Sequence, residues 1–505
     1  MAPPDDGFPL ASRVTRPPGR PSTAPEASMQ TTHVLVLVLY LLLMVGIGAW
    51  FSRSKEVSTG DDFVFAGRNL PRPVMIGTLL ATWVGSGTII GGASFAYSYG
   101  PLASIFFLAG TPVGIAVLYG LASRIRQGAA YTVPELLERR YGVSVRMIAA
   151  VITVLAYTGI TAYQFTGGGQ IISVITPLSP EQGAVVVALL VTFLAVGGGL
   201  KSVAWSDFLS ALIIVACLLA ALPLVLGTDL GGVGEYWRDL PDDYRTLSGG
   251  LGALQLLGYF LPLFLLILAD QNMYQRLGAA RDGAEARRST GGFFLSSFLV
   301  TVPVALLGSA AFVLMPGIEP DSAVLSLAGE GYLPVLMGGL LLAGALAFII
   351  TTGSSFLLSG AGNVVYDVTR RLLGVQMDDR RRLLVHRLAV LGIGAVAYVL
   401  GRFFPTVLEL QMYSYTVYGV ALAPPVLAIF LWRRASKWGA LTAMLLSTVV
   451  TIVWEQLGQP YGVNSVLVSL PVSLVTLVAV SLVLPDSGVP RTEMAADAET
   501  ADPKD

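Results

Sequence analysis

One cysteine, two histidines and a charged share of only 12% set the first limits on this chain of 505 residues. A single thiol, Cys217, excludes a disulfide framework. Two histidines, His33 and His386, are too few for a histidine-built metal site. The usual signatures of nucleotide binding and catalysis are missing too. There is no G-x-x-x-x-G-K-[ST], no G-x-G-x-x-G after a strand, and no G-x-S-x-G, H-E-x-x-H or C-x-x-C. Nothing in the chain supports an enzyme, no cofactor or nucleic-acid partner is implied, and a net charge of -1 says nothing about other partners.

Apolar sequence is what the chain has in abundance: 54% of its residues are hydrophobic and its mean hydropathy is +0.71. Apolar runs of about 20 residues recur, each long enough to cross a hydrocarbon core of ~30 Å as a helix. The chain reads as an all-α polytopic membrane protein with about thirteen spans: 31–52, 73–98, 101–123, 147–172, 182–200, 205–227, 250–272, 291–315, 333–358, 383–401, 404–432, 436–456 and 463–484. Residues 1–30 are proline-rich and read as a disordered tail, with Met29 an alternative start of translation; 485–505 form a polar tail.

Lys and Arg concentrate in cytoplasmic loops. Arg53, Lys55, Arg68 and Arg72 follow the first span, Arg124 through Arg146 the third, and Lys201 the fifth. Arg276 through Arg288 follow the seventh, Arg370 through Arg387 the ninth, and Arg433, Arg434 and Lys437 the eleventh. The N-terminus is therefore expected outside and the C-terminus in the cytoplasm of a cell inner membrane. This orientation places Ala81–Thr88 roughly 13–24 Å along the second span, near the midplane. Thr351, Thr352 and Asp207 fall in the inner half.

Within Ala81–Gly92, glycine recurs at Gly85, Gly87, Gly91 and Gly92 beside Thr82, Ser86 and Thr88. Each glycine forfeits about 1 kcal/mol of helix propensity, so a helix break is expected. Non-helical backbone at that depth must line a cavity or meet a ligand. Asp207 reads either as an intramembrane functional carboxylate or as a solvated interfacial one. Thr351, Thr352, Ser354 and Ser355 offer hard oxygen ligands for an alkali cation, or plain helix back-bonding. Asp270 reads as a substrate contact or gating residue, or as a polar helix end near Arg276, and Trp83 as a pocket wall or a lipid-packed ring. The glycines Gly110, Gly114, Gly167–Gly169 and Gly197–Gly199 most simply permit close helix packing.

Seven stretches in order resemble the sodium:solute symporter family: Gly60–Arg68, Ala81–Gly92, Tyr131–Gly142, Gly197–Asp207, Gln275–Ala280, Thr351–Arg370 and Trp432–Gly439. The resemblance implies a core of five-plus-five inverted repeats, 73–227 and 250–432, with a site near the midplane. It implies a sodium held by the carbonyls of Ala81, Val84 and Phe348 and the hydroxyls of Thr351 and Thr352. A second sodium, found in some members, would use Asp207, Thr351, Ser354 and Ser355. For the solute the resemblance points to Trp83, Gly87 and Asp270. Trp83 stands where sugar and proline carriers have Asn or Asp, and Leu263, Leu266 and Ile267 near polar and aromatic positions of sugar carriers, so a sugar is disfavoured. Trp83 is similar to choline carriers, but Asp270 replaces the second tryptophan of their cage. The expected function is sodium-coupled import of a small organic solute by alternating access. The rivals are a proton-coupled or sodium-independent carrier and a membrane sensor on the same scaffold.

Overall fold

The computed structural model describes residues 26–52, 68–197, 200–375 and 377–486. Most of both tails, most of the Gly60–Arg68 stretch and Gly198-Gly199 lie outside them. Every regular element among the described residues is helical. The chain runs through α1 (Glu26–Ser52), α2 (Arg72–Trp83), a π-helical turn at Gly87–Gly91, α3 (Gly92–Tyr99), α4 (Pro101–Leu108) and α5 (Gly110–Gln127). It continues through α6 (Val133–Tyr141), α7 (Val143–Ile175), α8 (Pro180–Gly197), α9 (Leu200–Leu224) and the short α10 (Val233–Asp239). The second half holds α11 (Ala253–Ala269), α12 (Gln271–Gly278), α13 (Gly283–Leu314), α14 (Ala323–Gly329), α15 (Val335–Asn363), α16 (Asp379–Gly401), α17 (Val407–Leu431), α18 (Lys437–Gln456) and α19 (Val466–Val483).

Among the described residues ten helices are long and apolar enough to cross a membrane, and α2 with α3 makes an eleventh span bent by 64°. Thr31–Leu43 and Pro180–Val196 are shorter apolar helices, so each of the thirteen stretches is helical. The first helix starts at Glu26, ahead of the expected boundary at 31.

The helix that opens each half is interrupted: α2 gives way to α3, and α11 to α12. Around these two breaks pack α7, α9, α15 and α17. The most apolar window of α17 is 78% buried and that of α15 is 72%, against 22% for α16 and 28% for α19. The former pair is therefore the interior of the bundle and the latter presents apolar surface outward. Glycine makes the interior dense. A Cβ on Gly110 would come 2.3 Å from the Phe260 carbonyl oxygen, and one on Gly114 2.1 Å from Ile267, so α5 lies directly on α11. Likewise Gly167 admits Ser86 and Gly169 admits the backbone of α8. In lipid, where water offers no partner and tails are as apolar as leucine, such close approach supplies much of the association energy.

Candidate functional site

The first break is built from Val84, which ends α2 in an extended conformation (φ -77°, ψ 113°). Gly85, Gly87, Gly91 and Gly92 all have ordinary negative φ, so their role here is room. A Cβ on Gly85 would meet the Gln164 amide at 2.6 Å, one on Gly87 the Gln411 amide at 2.5 Å, and one on Gly91 the same amide at 2.8 Å. The polar side chains of the stretch are mostly satisfied locally. Thr82 Oγ1 donates to the Thr78 carbonyl and Thr88 Oγ1 to that of Trp83, while Ser86 Oγ donates to the Tyr163 carbonyl of α7.

The carbonyls of the break are met from α15. Thr352 Oγ1, buried, lies 3.0 Å from the Ala81 carbonyl oxygen and 3.1 Å from that of Val84. On the preceding residue, Thr351 Oγ1 donates to the Phe348 carbonyl one turn back at 3.3 Å. The five residues carried over for sodium thus form two hydroxyl–carbonyl groups on adjacent residues of α15 and across to α2. They are oxygens only, the donor chemistry a hard monovalent cation requires.

The second break is at Asp270, in extended conformation between α11 and α12 (φ -62°, ψ 116°). Its carboxylate caps α12 by accepting from Asn272 N at 3.0 Å, and it accepts from the Tyr157 hydroxyl at 2.8 Å. Tyr157 in turn accepts from Gln271 N at 2.9 Å, and the Tyr418 hydroxyl donates to the Ala269 carbonyl at 2.8 Å. Two tyrosines from α7 and α17, their rings stacked 5.2 Å apart, therefore satisfy the backbone that the break exposes. A carboxylate at a helix N-terminus also faces the positive end of its dipole.

Asp207, on α9, is 2% exposed and lies within the bundle. Its Oδ2 accepts from Thr78 Oγ1 at 2.8 Å and pairs with Arg276 Nη2 at 3.4 Å. Arg276 Nη2 also reaches Ser355 Oγ at 3.5 Å, while Ser354 Oγ donates to the Thr351 carbonyl at 3.0 Å. Removing one member of such a buried pair costs about 3–5 kcal/mol, because the other is left uncompensated.

Trp83 packs edge-on against Phe293 of α13, 6.4 Å between centroids, inside the bundle rather than toward lipid. Two residues not singled out in the sequence lie directly against the break: Gln164 on α7, beside Gly85, and Gln411 on α17, beside Gly87 and Gly91. Gln164 Oε1 accepts from Ser86 N at 3.0 Å, but its Nε2 has no hydrogen-bond partner among the described residues, and neither has Gln411 Oε1. An unpartnered buried amide atom costs about 1–3 kcal/mol, so two of them against the same break mark a place where polar groups are expected to be met. In the sequence each is a lone glutamine inside an apolar run, with no spacing that marks it. Beside α12 and the end of α15 opens a cavity of about 370 Å³, lined among others by Gln271, Asn272, Arg276, Ser355, Ser359 and His386.

A family model described as the Sodium:solute symporter family matches residues 63–447. The chain belongs to this family. Its members are carriers and not enzymes, so sodium-coupled solute transport across a membrane is its activity at that level. The High-affinity proline transporter PutP of Bacillus subtilis is 26% identical over 465 residues, 87% of this chain and 95% of that protein. A sodium/glucose cotransporter of Vibrio parahaemolyticus is 24% identical over 473 residues, 84% of each. Among solved structures, a Na+-coupled sialic acid symporter in a substrate-bound outward-open state superposes with a TM-score of 0.76 at 18% identity, over 91% of this chain and 99% of that one. That likeness establishes the shared fold of this symporter.

Proposed function

We propose that this symporter imports a small zwitterionic solute, of which proline is the leading example, together with sodium bound at the first helix break. The carbonyls of Ala81, Val84 and Phe348 and the hydroxyls of Thr351 and Thr352 hold the ion. The observation that carries this reading is the Thr352 hydroxyl shared between the Ala81 and Val84 carbonyls, since it joins α15 to the break with oxygens alone. Gln164 and Gln411 receive the solute: an amide N–H suits a carboxylate, and an amide oxygen suits an ammonium. Gly87 leaves the space and Trp83 forms a wall. Asp270 acts through the shape of α12 rather than by touching the solute. The core repeats are 73–227 and 250–432, the N-terminus is outside, and the protein resides in the cytoplasmic membrane. With that orientation the cavity beside α12 lies on the cytoplasmic side, as an exit path requires. Proline enters as the lead because several relatives bear names of proline carriers, and because the chain lacks the polar set that sugar hydroxyls would need.

An inward tenfold sodium gradient supplies about 1.4 kcal/mol, and 100 mV adds ~2.3 kcal/mol per charge. Proteoliposomes holding the purified full chain should take up labelled proline at least about tenfold faster in external sodium than in potassium, given that driving force. Glucose and choline, offered in parallel, should not be accumulated. Equal proline uptake in the two salts would refute sodium coupling, and accumulation of glucose or choline instead would refute the assigned solute.

A further inference from the structure

We infer that the cavity beside α12 is a binding site for a small carboxylate, held by the side-chain amide of Gln271 together with Arg382 and His386 of α16. Its occupant is the solute on its way out of the carrier or an organic acid of the cytoplasm. The first occupant rests on the zwitterionic solute proposed above; the site itself does not.

Most polar groups around the cavity are engaged with their neighbours. Arg276 pairs with Asp207, and its Nη1 reaches the Asn272 carbonyl at 3.3 Å. The Asn272 side chain accepts from Ser359 Oγ at 2.7 Å and donates to Asp270 at 3.4 Å. Gln275 Nε2 donates to the Tyr131 carbonyl at 2.8 Å. Gln271 differs. It is 1% exposed, its Oε1 accepts from Val133 N at 3.2 Å, and its Nε2 has no hydrogen-bond partner among the described residues. A buried amide donor left unmet is costly, so it calls for an acceptor within the cavity that Gln271 lines.

The charge of the wall selects the acceptor. No Asp or Glu stands among the described residues that line the cavity, whereas Arg382 brings a guanidinium to it from α16. One turn further along α16, His386 donates to the Leu358 carbonyl, which fixes its ring in the wall. A carboxylate accepts from an amide N–H, and its two oxygens match the planar fork of a guanidinium. A sodium ion meets neither need, and a sugar hydroxyl meets only the first. At about 370 Å³ the cavity has the room of a small-molecule site, which runs from roughly 300 to 1,000 Å³. Gln271, Arg382 and His386 all fall outside the seven family-like stretches.

Saturation-transfer NMR on the purified full chain in sodium-free potassium buffer tests the site, because the proposed site at the first helix break takes solute only with sodium. Proline and acetate should each receive saturation and displace one another, while prolinamide, which lacks the carboxylate, should do neither. Arg382→Gln and His386→Gln, at half-buried positions, should each weaken acetate binding by about tenfold, the scale of one hydrogen bond to a charged group. Gln271→Glu keeps an acceptor for Val133 N, puts a carboxylate oxygen in place of the donor, and should abolish binding. Acetate binding without proline binding upholds the site and makes a cytoplasmic acid its occupant. No acetate binding in wild type, prolinamide binding as tight as that of proline, or wild-type affinity in both α16 variants would each overturn the inference, as would acetate binding retained in folded Gln271→Glu. The first three outcomes need no Gln271 variant, so failure of that variant to fold leaves the test intact. Sodium-dependent proline binding is read separately in sodium buffer; its absence overturns the proposed coupling and leaves the potassium result standing.

Discussion

At the scale of single residues, hydroxyls decide more than charges do. Thr352 makes contacts that neither a methyl nor a carboxylate could make, because its one donor is shared by two carbonyls of another helix. Thr352→Ala is expected to raise the sodium concentration for half-maximal uptake by about tenfold, equivalent to ~1.4 kcal/mol. It should also lower the thermal midpoint in sodium-free buffer, since two carbonyls lose their partner. Thr352→Ser, which keeps the oxygen, should restore both; a sodium titration of the two variants that gave the same value would contradict the assignment. Thr352 was legible in the sequence through its hydroxyl cluster and the family pattern. Gln164 and Gln411 were not, because a lone amide in an apolar span has no spacing that sets it apart. Nor was the pairing of Asp207 with Arg276, since the two stand 69 residues apart, with α10 and α11 between them, and packing alone brings them together.

At the scale of elements, the two interrupted helices differ in how readable they are. Glycines announced the break after α2, although their role turned out to be close approach by Gln164 and Gln411 rather than unusual backbone angles. The break at Asp270 follows an unbroken apolar run from Leu256 to Ala269 that contains Pro262 and Gly258 but no cluster, so Asp270 read as a helix end or a ligand. What defines that break comes from elsewhere, chiefly Tyr157 and Tyr418. Tyr157→Phe removes the donor to Asp270 and the acceptor for Gln271 N, a loss of about 1–3 kcal/mol for buried groups left unpaired. Amide hydrogens of 268–274 should then exchange faster, with those of Ala81–Gly85 unaffected. Unchanged protection across 268–274 would show that the tyrosine does not hold the break.

At the scale of the whole molecule, the halves are tied together near the cavity beside α12 by ion pairs. Arg146 of α7 bonds Glu138 of α6 at 2.5 Å and Asp367, beyond α15, at 2.6 Å, and Arg371 also pairs with Glu138. Thr132 adds a hydrogen bond to Asp367 at 3.2 Å. Burial pushes the Glu138 carboxyl upward, but the guanidiniums of Arg146 and Arg371 outweigh it and hold the group below its ordinary 4.5. A lowered folded pKa means that the link contributes fully above pH 4.5 and is lost as pH falls through the lower value. Glu138→Gln should therefore melt at a lower temperature than wild type at neutral pH, and the gap should close as pH falls below 4.5 through the lowered value. A gap that persists in acid would assign the loss to packing instead. The thirteen apolar stretches and the family could be read from the chain because bilayer thickness fixes span length. These cross-links could not, because loops say little about which ends meet.

The shared Thr352 hydroxyl also bears on timing. While it spans the Ala81 and Val84 carbonyls it acts as a donor, and toward a cation it must act as an acceptor, so capture of the proposed sodium asks for rotation about one C–O bond. Rotation of a hydroxyl is faster by orders of magnitude than collective helix motion, which runs on about the microsecond-to-millisecond scale. On the proposed site, turnover is paced by the rearrangement of the helices, and the ion step runs ahead of it at near equilibrium.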